Sequence, residues 1–212
     1  MSLQFIMGNS GSGKSYCLYD TVVREAIENP DKNYLVIVPE QFTMQTQKDL
    51  CLAHPKGGIM NIDVLSFGRL AYRVFEEVGQ DARVVLDDEG KNLVLRKIAG
   101  YISEVKSVLS EFAQYGVDFE RLDDFMKEVP PESYLHYKLD DIRTIYEKFE
   151  EYLSEKYITK EEMLDVLSDA VPYSDILKGS VVAMDGFTGF TPVQNRLIGE
   201  LFSVCEKVMI TV

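Results

Sequence analysis

The sequence has few basic residues and no long apolar run, and each shortage excludes a class of protein. Its 212 residues include 22 Lys and Arg against 35 Asp and Glu, a net charge of −13. A free-standing nucleic-acid-binding protein normally carries a basic face, so this balance argues against that class. No apolar stretch approaches the roughly 18 to 20 residues that a membrane span needs, and residues 1–7 are too short and uncharged for a signal peptide. We therefore expect a cytoplasmic protein without a membrane partner.

Cysteine is also scarce and scattered. The three cysteines, Cys17, Cys51 and Cys205, lie far apart, form no C-x-x-C pair and have no histidine cluster near them. Neither a disulfide framework nor a zinc site is indicated. The apolar content of 46% is enough for the core of one domain, or of one domain with an insert.

A glycine-rich stretch near the start of the chain has the pattern of a phosphate-binding loop. It consists of Gly8, Asn9, Ser10, Gly11, Ser12, Gly13, Lys14 and Ser15. In this pattern, glycines let the backbone N–H groups turn inward around phosphate oxygens, the lysine reaches the β- and γ-phosphates, and the last hydroxyl binds Mg²⁺. An apolar run at residues 3–7 precedes the loop and a helix over about 14–28 follows it, so a helix N-terminus faces the same anion.

A second acidic element is needed to hold Mg²⁺, which prefers oxygen ligands. The apolar run Val181–Met184 ends in Asp185, and this is the downstream strand that ends in a carboxylate. The simpler alternative is a strand-ending turn, because Asp185 and Gly186 form a common turn pair. The sequence predicts Ser15 and Asp185 as the magnesium ligands.

The middle of the chain differs from its flanks in charge and in periodicity. Residues 87–178 carry 12 basic and 22 acidic residues. Apolar positions spaced by three or four predict helical segments over about 87–115 and 134–157, with Ile102 in the first stripe. Thr159 and Glu162 form a capping box that begins a third helix, ending near Val171. We predict an all-helical insert over 87–178.

Strands and helices alternate on both sides of this insert. Strands are predicted at 3–7, 34–38, 60–65, 181–184 and 208–212, and helices at 42–53, 66–78 and 192–205. Thr191 is the N-cap of the last helix and Pro192 its first residue. This alternation predicts an α/β fold with a mainly parallel sheet, formed by residues 1–86 and 179–212 as one nucleotide-binding domain.

Four segments together resemble a known family. They are the loop at 8–15, LVIVPEQFT at 35–43, DVLSFGRLA at 63–71 and DGFTGFTPVQ at 185–194. They look like the N-terminal part of the AddB/RexB subunits of bacterial ATP-dependent helicase-nucleases, which process double-strand DNA ends for recombinational repair. The resemblance covers essentially the whole chain, and the last segment is its most specific part.

The resemblance implies a superfamily 1 helicase-like P-loop NTPase fold with bound ATP and Mg²⁺. Residues 1–86 and 179–212 would be the 1A-like domain and residues 87–178 a 1B-like subdomain. Gln41, Ser66 and Phe67 match elements that contact DNA in such helicases, although Phe67 is equally explained as a core aromatic residue. An AddA-type helicase-nuclease subunit is the implied partner, with DNA in the full complex. The second motor domain and the nuclease domain with its iron–sulfur cluster are expected to lie outside these residues.

Two departures from the helicase pattern lead us to expect weak motor activity. Hydrolysing superfamily 1 helicases have a glutamate after the strand-ending aspartate, where it positions the attacking water, and here that residue is Gly186. The adenine-reading glutamine upstream of the first strand has no counterpart in Met1, Ser2 and Leu3. Lys14 and Asp185 are the catalytic candidates if hydrolysis occurs. The span between Lys97 and Glu111 is also short for the family.

Two other classes of function stay open. One is a small-molecule kinase, since many contain a phosphate-binding loop and have about this length. Those enzymes close an arginine-rich lid over the phosphates, whereas the arginines of this insert, Arg96, Arg121 and Arg143, are scattered along predicted helices. The other is a non-catalytic scaffold that scans DNA or contacts a partner protein and keeps a vestigial nucleotide site.

Overall fold

A computed structural model describes residues 2–79, 84–99, 103–153 and 157–212. These residues form seven strands: β1 (Ser2–Ile6), β2 (Tyr34–Ile37), β3 (Ile62–Leu65), β4 (Val84–Leu86), β5 (Tyr157–Thr159), β6 (Val181–Met184) and β7 (Lys207–Thr211). Nine α-helices are described: α1 (Lys14–Glu28), α2 (Thr43–Ala53), α3 (Phe67–Val78), α4 (Asp88–Ala99), α5 (Ser103–Tyr115), α6 (Phe119–Glu128), α7 (Tyr134–Leu153), α8 (Lys160–Ala170) and α9 (Pro192–Val204). Short 3₁₀ turns lie at Glu40–Phe42 and Val171–Tyr173.

Five of the strands form one parallel sheet in the order β1-β7-β6-β2-β3. The predicted α/β fold with a mainly parallel sheet is confirmed, and helix α1 has the bounds that the sequence predicted. All four residues of β2 and all four of β6 are buried, as expected for strands that helices cover on both faces. Because every strand of this sheet is parallel, all five carboxyl ends lie along one edge.

The chain divides into two compact units. The first comprises Met1–Gln80, Val166–Phe190 and Gln194–Val212, and the second Asp81–Asp165 with Thr191–Val193. The first unit contains the five-stranded sheet. The sequence-based boundaries between the nucleotide-binding domain and the insert, at 86/87 and 178/179, stay a prediction.

The core of the first unit joins helix α1 to the central strands. Leu18 and Val22 of α1 are fully buried with Val36 of β2, Ala183 of β6 and Met209 of β7. Full burial of a side chain such as Leu18 contributes about 1.5–3 kcal/mol. This packing fixes the start of α1 against the sheet, and with it the glycine-rich loop that precedes the helix.

The second unit is mostly helical, but the prediction of an all-helical insert is wrong. Strand β5 lies within 87–178 and pairs in parallel with β4, forming a two-stranded sheet. A three-residue strand is too short for its periodicity to be recognised, although Tyr, Ile and Thr are strand-forming residues. The apolar stripe over 87–115 belongs to two helices, α4 and α5, and Ile102 lies outside the described residues. Helix α6 was not predicted.

The capping box at the start of α8 is confirmed. The backbone N–H of Thr159 donates to Glu162 Oε2 at 2.7 Å, and the N–H of Glu162 donates to Thr159 Oγ1 at 3.2 Å. Among the described helices, none combines the length and the apolar character that crossing a bilayer requires.

Glu150 of α7 lines a cavity in the second unit. Burial, and then the negative charge of Glu162, raise the pKa of Glu150 from 4.5 to about 7. Since the folded-state pKa exceeds the unfolded one, folding binds a proton between about pH 4.5 and pH 7. The free energy of unfolding therefore falls as the pH rises through this window.

Replacing Glu150 with Gln removes this half-buried charge and should stabilise the protein at pH 8 but not at pH 4. We expect a gain of about 1 kcal/mol at pH 8, after discounting the pKa shift for solvent screening. Urea unfolding followed by circular dichroism at the two pH values measures the gain. Glu132→Gln, at an exposed position before α7, is the control and should leave the free energy of unfolding unchanged at both pH values. Equal effects of Glu150→Gln at both pH values would contradict this account.

Candidate functional site

The glycine-rich loop connects the end of β1 to the first turn of α1 and is exposed to solvent. Within it, the N–H of Ser12 donates to the carbonyl oxygen of Asn9 at 3.1 Å. Gly13 has φ of 87°, in the left-handed region, directly before the first helical residue. Such a φ is strained for residues with a Cβ atom, so glycine suits the sharp turn into the helix.

The N-terminus of α1 offers backbone donors toward the loop. By α-helix geometry, the N–H groups of Lys14, Ser15 and Tyr16 have no acceptor within the helix. The first helical bond found is from the N–H of Cys17 to the carbonyl oxygen of Gly13, at 2.9 Å, and no side chain among the described residues caps this end. These donors and the positive end of the helix dipole can bind an anion.

The Lys14 side chain folds back over the loop. Its Nζ donates to the carbonyl oxygens of Gly8 at 2.5 Å and Asn9 at 3.2 Å. The ammonium group thus lies beside the backbone that would surround a phosphate. These two partners are neutral carbonyls rather than a carboxylate, so an arriving anion does not have to displace an ion pair.

Asp185 follows β6 directly, and the fold brings it next to the loop. Asp185 is 6% exposed, and its Oδ1 accepts a hydrogen bond from Ser15 Oγ at 3.1 Å. Oδ1 also accepts from Thr211 Oγ1 at 2.6 Å, and Oδ2 accepts from the Tyr19 hydroxyl at 2.7 Å. All three donors are neutral, so the negative charge of the carboxylate is solvated but not neutralised.

The strand order explains this meeting. Strand β7 lies between β1 and β6, and it pairs with both in parallel. The loop after β1, Thr211 at the end of β7 and Asp185 after β6 therefore lie side by side at one sheet edge. The N–H of Gly8 donates to the carbonyl oxygen of Val212 at 3.2 Å, which ties the loop to the chain just after β7.

The donor set fits a hard divalent cation. A hydroxyl from Ser15 and a carboxylate from Asp185 supply oxygen ligands, which Mg²⁺ prefers, and Mg²⁺ usually completes its shell with water and substrate phosphates. In the described part of the chain, no group of three or more His, Cys, Asp or Glu forms a metal cage. The pair would therefore hold Mg²⁺ together with an oxygen-rich ligand, rather than alone.

Tyr19 and Thr211 are site residues that the sequence analysis missed. The hydroxyls of Tyr19 and Thr46 lie 3.2 Å apart, which connects the carboxylate to α2. Burial first, and then the bond to Asp185, raise the pKa of Tyr19 above its ordinary value, so the phenol stays protonated and donates. The spacing of four residues from Ser15 to Tyr19 places both on one face of α1, and this signal could have identified Tyr19.

The candidate DNA-contact residues lie at the ends of β2 and β3. Gln41 is exposed in the turn Glu40–Phe42. Ser66 is buried and caps α3, accepting from the N–H of Arg69 at 3.4 Å. Phe67 is 8% exposed, and its ring centroid lies 5.3 Å from that of Phe187. The structure therefore gives Ser66 and Phe67 structural partners, and their contact with DNA stays a prediction.

Gly186 occupies the position after Asp185 with a backbone conformation that disfavours other residues. Its φ is 78°, and a Cβ atom built there would lie 3.5 Å from both Phe42 Cδ2 and Pro39 Cδ. These distances are ordinary van der Waals contacts, so the obstacle to a side chain is the backbone conformation and not a lack of space. A glutamate at this position would strain the backbone.

Comparison with known proteins identifies relatives over the whole chain. The family model described as "ADDB, N-terminal" matches residues 5–100 and 98–212. Three proteins named as the B-type subunit of ATP-dependent helicase/deoxyribonuclease, from Lachnoclostridium phytofermentans, Clostridium tetani and Alkaliphilus metalliredigens, are 44%, 35% and 33% identical to the chain. Each alignment covers 100% of this chain and 20% of the relative.

The chain thus spans a fifth of the length of the curated relatives that it matches. The three alignments run over 229, 230 and 228 positions, more than the 212 residues of the chain. The relatives therefore contain residues in this region that have no counterpart here.

Gly186→Ala should lower the free energy of unfolding by about 1 kcal/mol, because alanine is strained at a left-handed φ. Gly189→Ala is the matched control, because Gly189 lies in the same loop, has no left-handed φ and has no atom within 4 Å of a built Cβ. Urea denaturation of both variants measures the difference. If the two substitutions lower the free energy of unfolding equally, the conformation assigned to Gly186 is incorrect.

Proposed function

The chain belongs to the ADDB N-terminal family, and from this premise we propose that it is a nucleotide-binding, helicase-like module of the AddB subunit of a helicase/deoxyribonuclease. The module acts on DNA double-strand breaks in repair and recombination. The observation that carries the proposal is the bond between Ser15 and Asp185, which joins the glycine-rich loop to the acidic strand end at 3.1 Å.

Each part of the proposed site has a chemical role. The backbone from Gly8 to Gly13 and the first turn of α1 bind the phosphates of ATP, and Lys14 contacts the β- and γ-phosphates. Ser15 and Asp185 hold Mg²⁺, which neutralises phosphate charge when it is bound. We assign residues 1–86 and 179–212, which include the five-stranded sheet, to a P-loop NTPase domain of the superfamily 1 helicase type.

The proposed setting is a larger complex in the cytoplasm. The relatives carry names that combine a helicase and a deoxyribonuclease, and an AddA-type helicase-nuclease is the partner that we propose for this chain. DNA lies along the carboxyl edge of the sheet, near Gln41, Ser66 and Phe67. Residues 87–178 form the 1B-like subdomain. The acidity of this segment favours a role in protein contacts or solvation over direct DNA binding.

We also propose that the module is a weak motor. Hydrolysis requires a group that positions or activates the attacking water. Gly186 supplies no side chain for this task, and its φ of 78° disfavours a replacement that would. The partner subunit then supplies translocation.

Titration calorimetry with Mg-ATP tests nucleotide binding directly. We expect measurable heat for the wild type and a loss of about tenfold or more in affinity for Lys14→Ala, since the variant lacks the ammonium group at the loop. Lys48→Ala, an exposed lysine on α2, is the control and should bind as the wild type does. Absence of binding by the wild type would favour a scaffold with a vestigial site.

The isolated chain should hydrolyse ATP negligibly, because no carboxylate follows Asp185 in the strand-end motif. Phosphate release under single-turnover conditions measures the rate. Gly186→Glu should remain inactive as well, since glutamate is strained at the left-handed φ of position 186. Rapid turnover by the wild type would overturn the weak-motor proposal, and phosphorylation of an added nucleoside or sugar would indicate a kinase.

A further inference from the structure

The hydroxyl of Tyr19 donates a hydrogen bond to Oδ2 of Asp185, the carboxylate oxygen that is not bonded to Ser15. Oδ1 of Asp185 receives two hydrogen bonds, from Ser15 and Thr211, whereas the side-chain donor found at Oδ2 within the described ranges is Tyr19, at 2.7 Å. Bonds on both oxygens fix the rotation of the carboxylate about its Cβ–Cγ bond. As a result, Oδ1 is directed toward Ser15 and the loop.

The proton arrangement around Tyr19 follows from its chemistry. A phenol has one proton, and the ionised carboxylate at Oδ2 can only accept. The Tyr19 hydroxyl therefore accepts its second bond, at 3.2 Å, from Thr46 Oγ1. Thr46 is 3% exposed on α2, so this donor is itself held in place by the core.

These donors orient the anion without neutralising it. Tyr19, Thr211 and Ser15 are neutral, so the full charge of Asp185 remains available to a cation, whereas a lysine or arginine in their place would compete with that cation. Outer partners of this kind usually set the orientation of a metal ligand, and their removal typically costs about 10- to 100-fold in metal affinity.

We propose that Tyr19 is a positioning residue for the divalent cation of the nucleotide site, and that Thr46 holds Tyr19 in its donating orientation. The inference rests on the proposed nucleotide-binding function and adds to it a residue that neither touches the nucleotide nor belongs to the glycine-rich loop. Tyr19 also connects the site to α2, which follows the exposed turn Glu40–Phe42.

A purely structural role for Tyr19 is the alternative, because its ring is part of the core of the first unit. Tyr19→Phe separates the two roles, since it keeps the ring and removes only the hydroxyl. Tyr72→Phe is the matched control: Tyr72 lies on α3 of the same unit and is 56% exposed, whereas the phenol bonded to Asp185 is that of Tyr19.

The test measures ATP binding with and without Mg²⁺, and then titrates Mg²⁺ at a fixed ATP concentration. For Tyr19→Phe we expect about a tenfold weaker apparent affinity for Mg²⁺, with ATP binding in EDTA unchanged within about twofold. Thr46→Val should show a smaller loss of apparent Mg²⁺ affinity. Thr46→Ser keeps the hydroxyl and should bind Mg²⁺ with the affinity of the wild type. Tyr72→Phe should behave as the wild type.

Two results would overturn the inference. One is unchanged Mg²⁺ affinity in Tyr19→Phe, and the other is an equal loss of ATP affinity with and without Mg²⁺, which indicates a structural defect. Thermal unfolding of each variant identifies such a defect independently. If the wild type binds no nucleotide at all, the proposed function fails and this inference fails with it; normal binding by wild type and by Tyr19→Phe alike refutes only the role of Tyr19.

Discussion

The candidate site depends on one buried carboxylate whose charge is solvated by hydroxyl groups. Asp185 is 6% exposed and accepts bonds from Ser15, Thr211 and Tyr19. A buried charge is costly unless it is hydrogen-bonded or paired, and three neutral donors reduce that cost without removing the charge. The arrangement therefore keeps a hydrogen-bonded negative charge beside the loop, and the proposed metal–nucleotide site would use that charge.

The parallel sheet makes this arrangement possible. Ser15 and Asp185 are 170 residues apart in the sequence, and they meet because β7 aligns β1 with β6 at a common edge. Thr211 is at the end of β7, the middle strand of these three, and its hydroxyl donates a hydrogen bond to the Asp185 carboxylate. The packing of Leu18 and Val22 against the sheet fixes the position of α1, and with it the position of Ser15. Fold and site thus depend on the same contacts.

Local signals predicted much of this structure from the sequence. The loop at 8–15 and the capping box at Thr159 could be recognised from short sequence patterns, because the start of a helix depends on a few adjacent residues. Asp185 was predicted by its place after an apolar strand. Other features depend on contacts between distant segments: Tyr157–Thr159 is a strand because β4 lies beside it, and Thr211 is a site residue because of its strand neighbours. No local pattern around either segment contains that information.

The central claim is that Ser15 and Asp185 share a divalent cation beside a nucleotide bound by the loop at 8–15. A crystal structure with Mg²⁺ and a non-hydrolysable ATP analogue tests it most directly. The account predicts an ion about 2.1 Å from Ser15 Oγ, with the terminal phosphates inside the loop and Asp185 on the other side of the ion. A nucleotide bound elsewhere, or an unchanged bond between Ser15 and Asp185 with no ligand at the loop under saturating nucleotide, would contradict it.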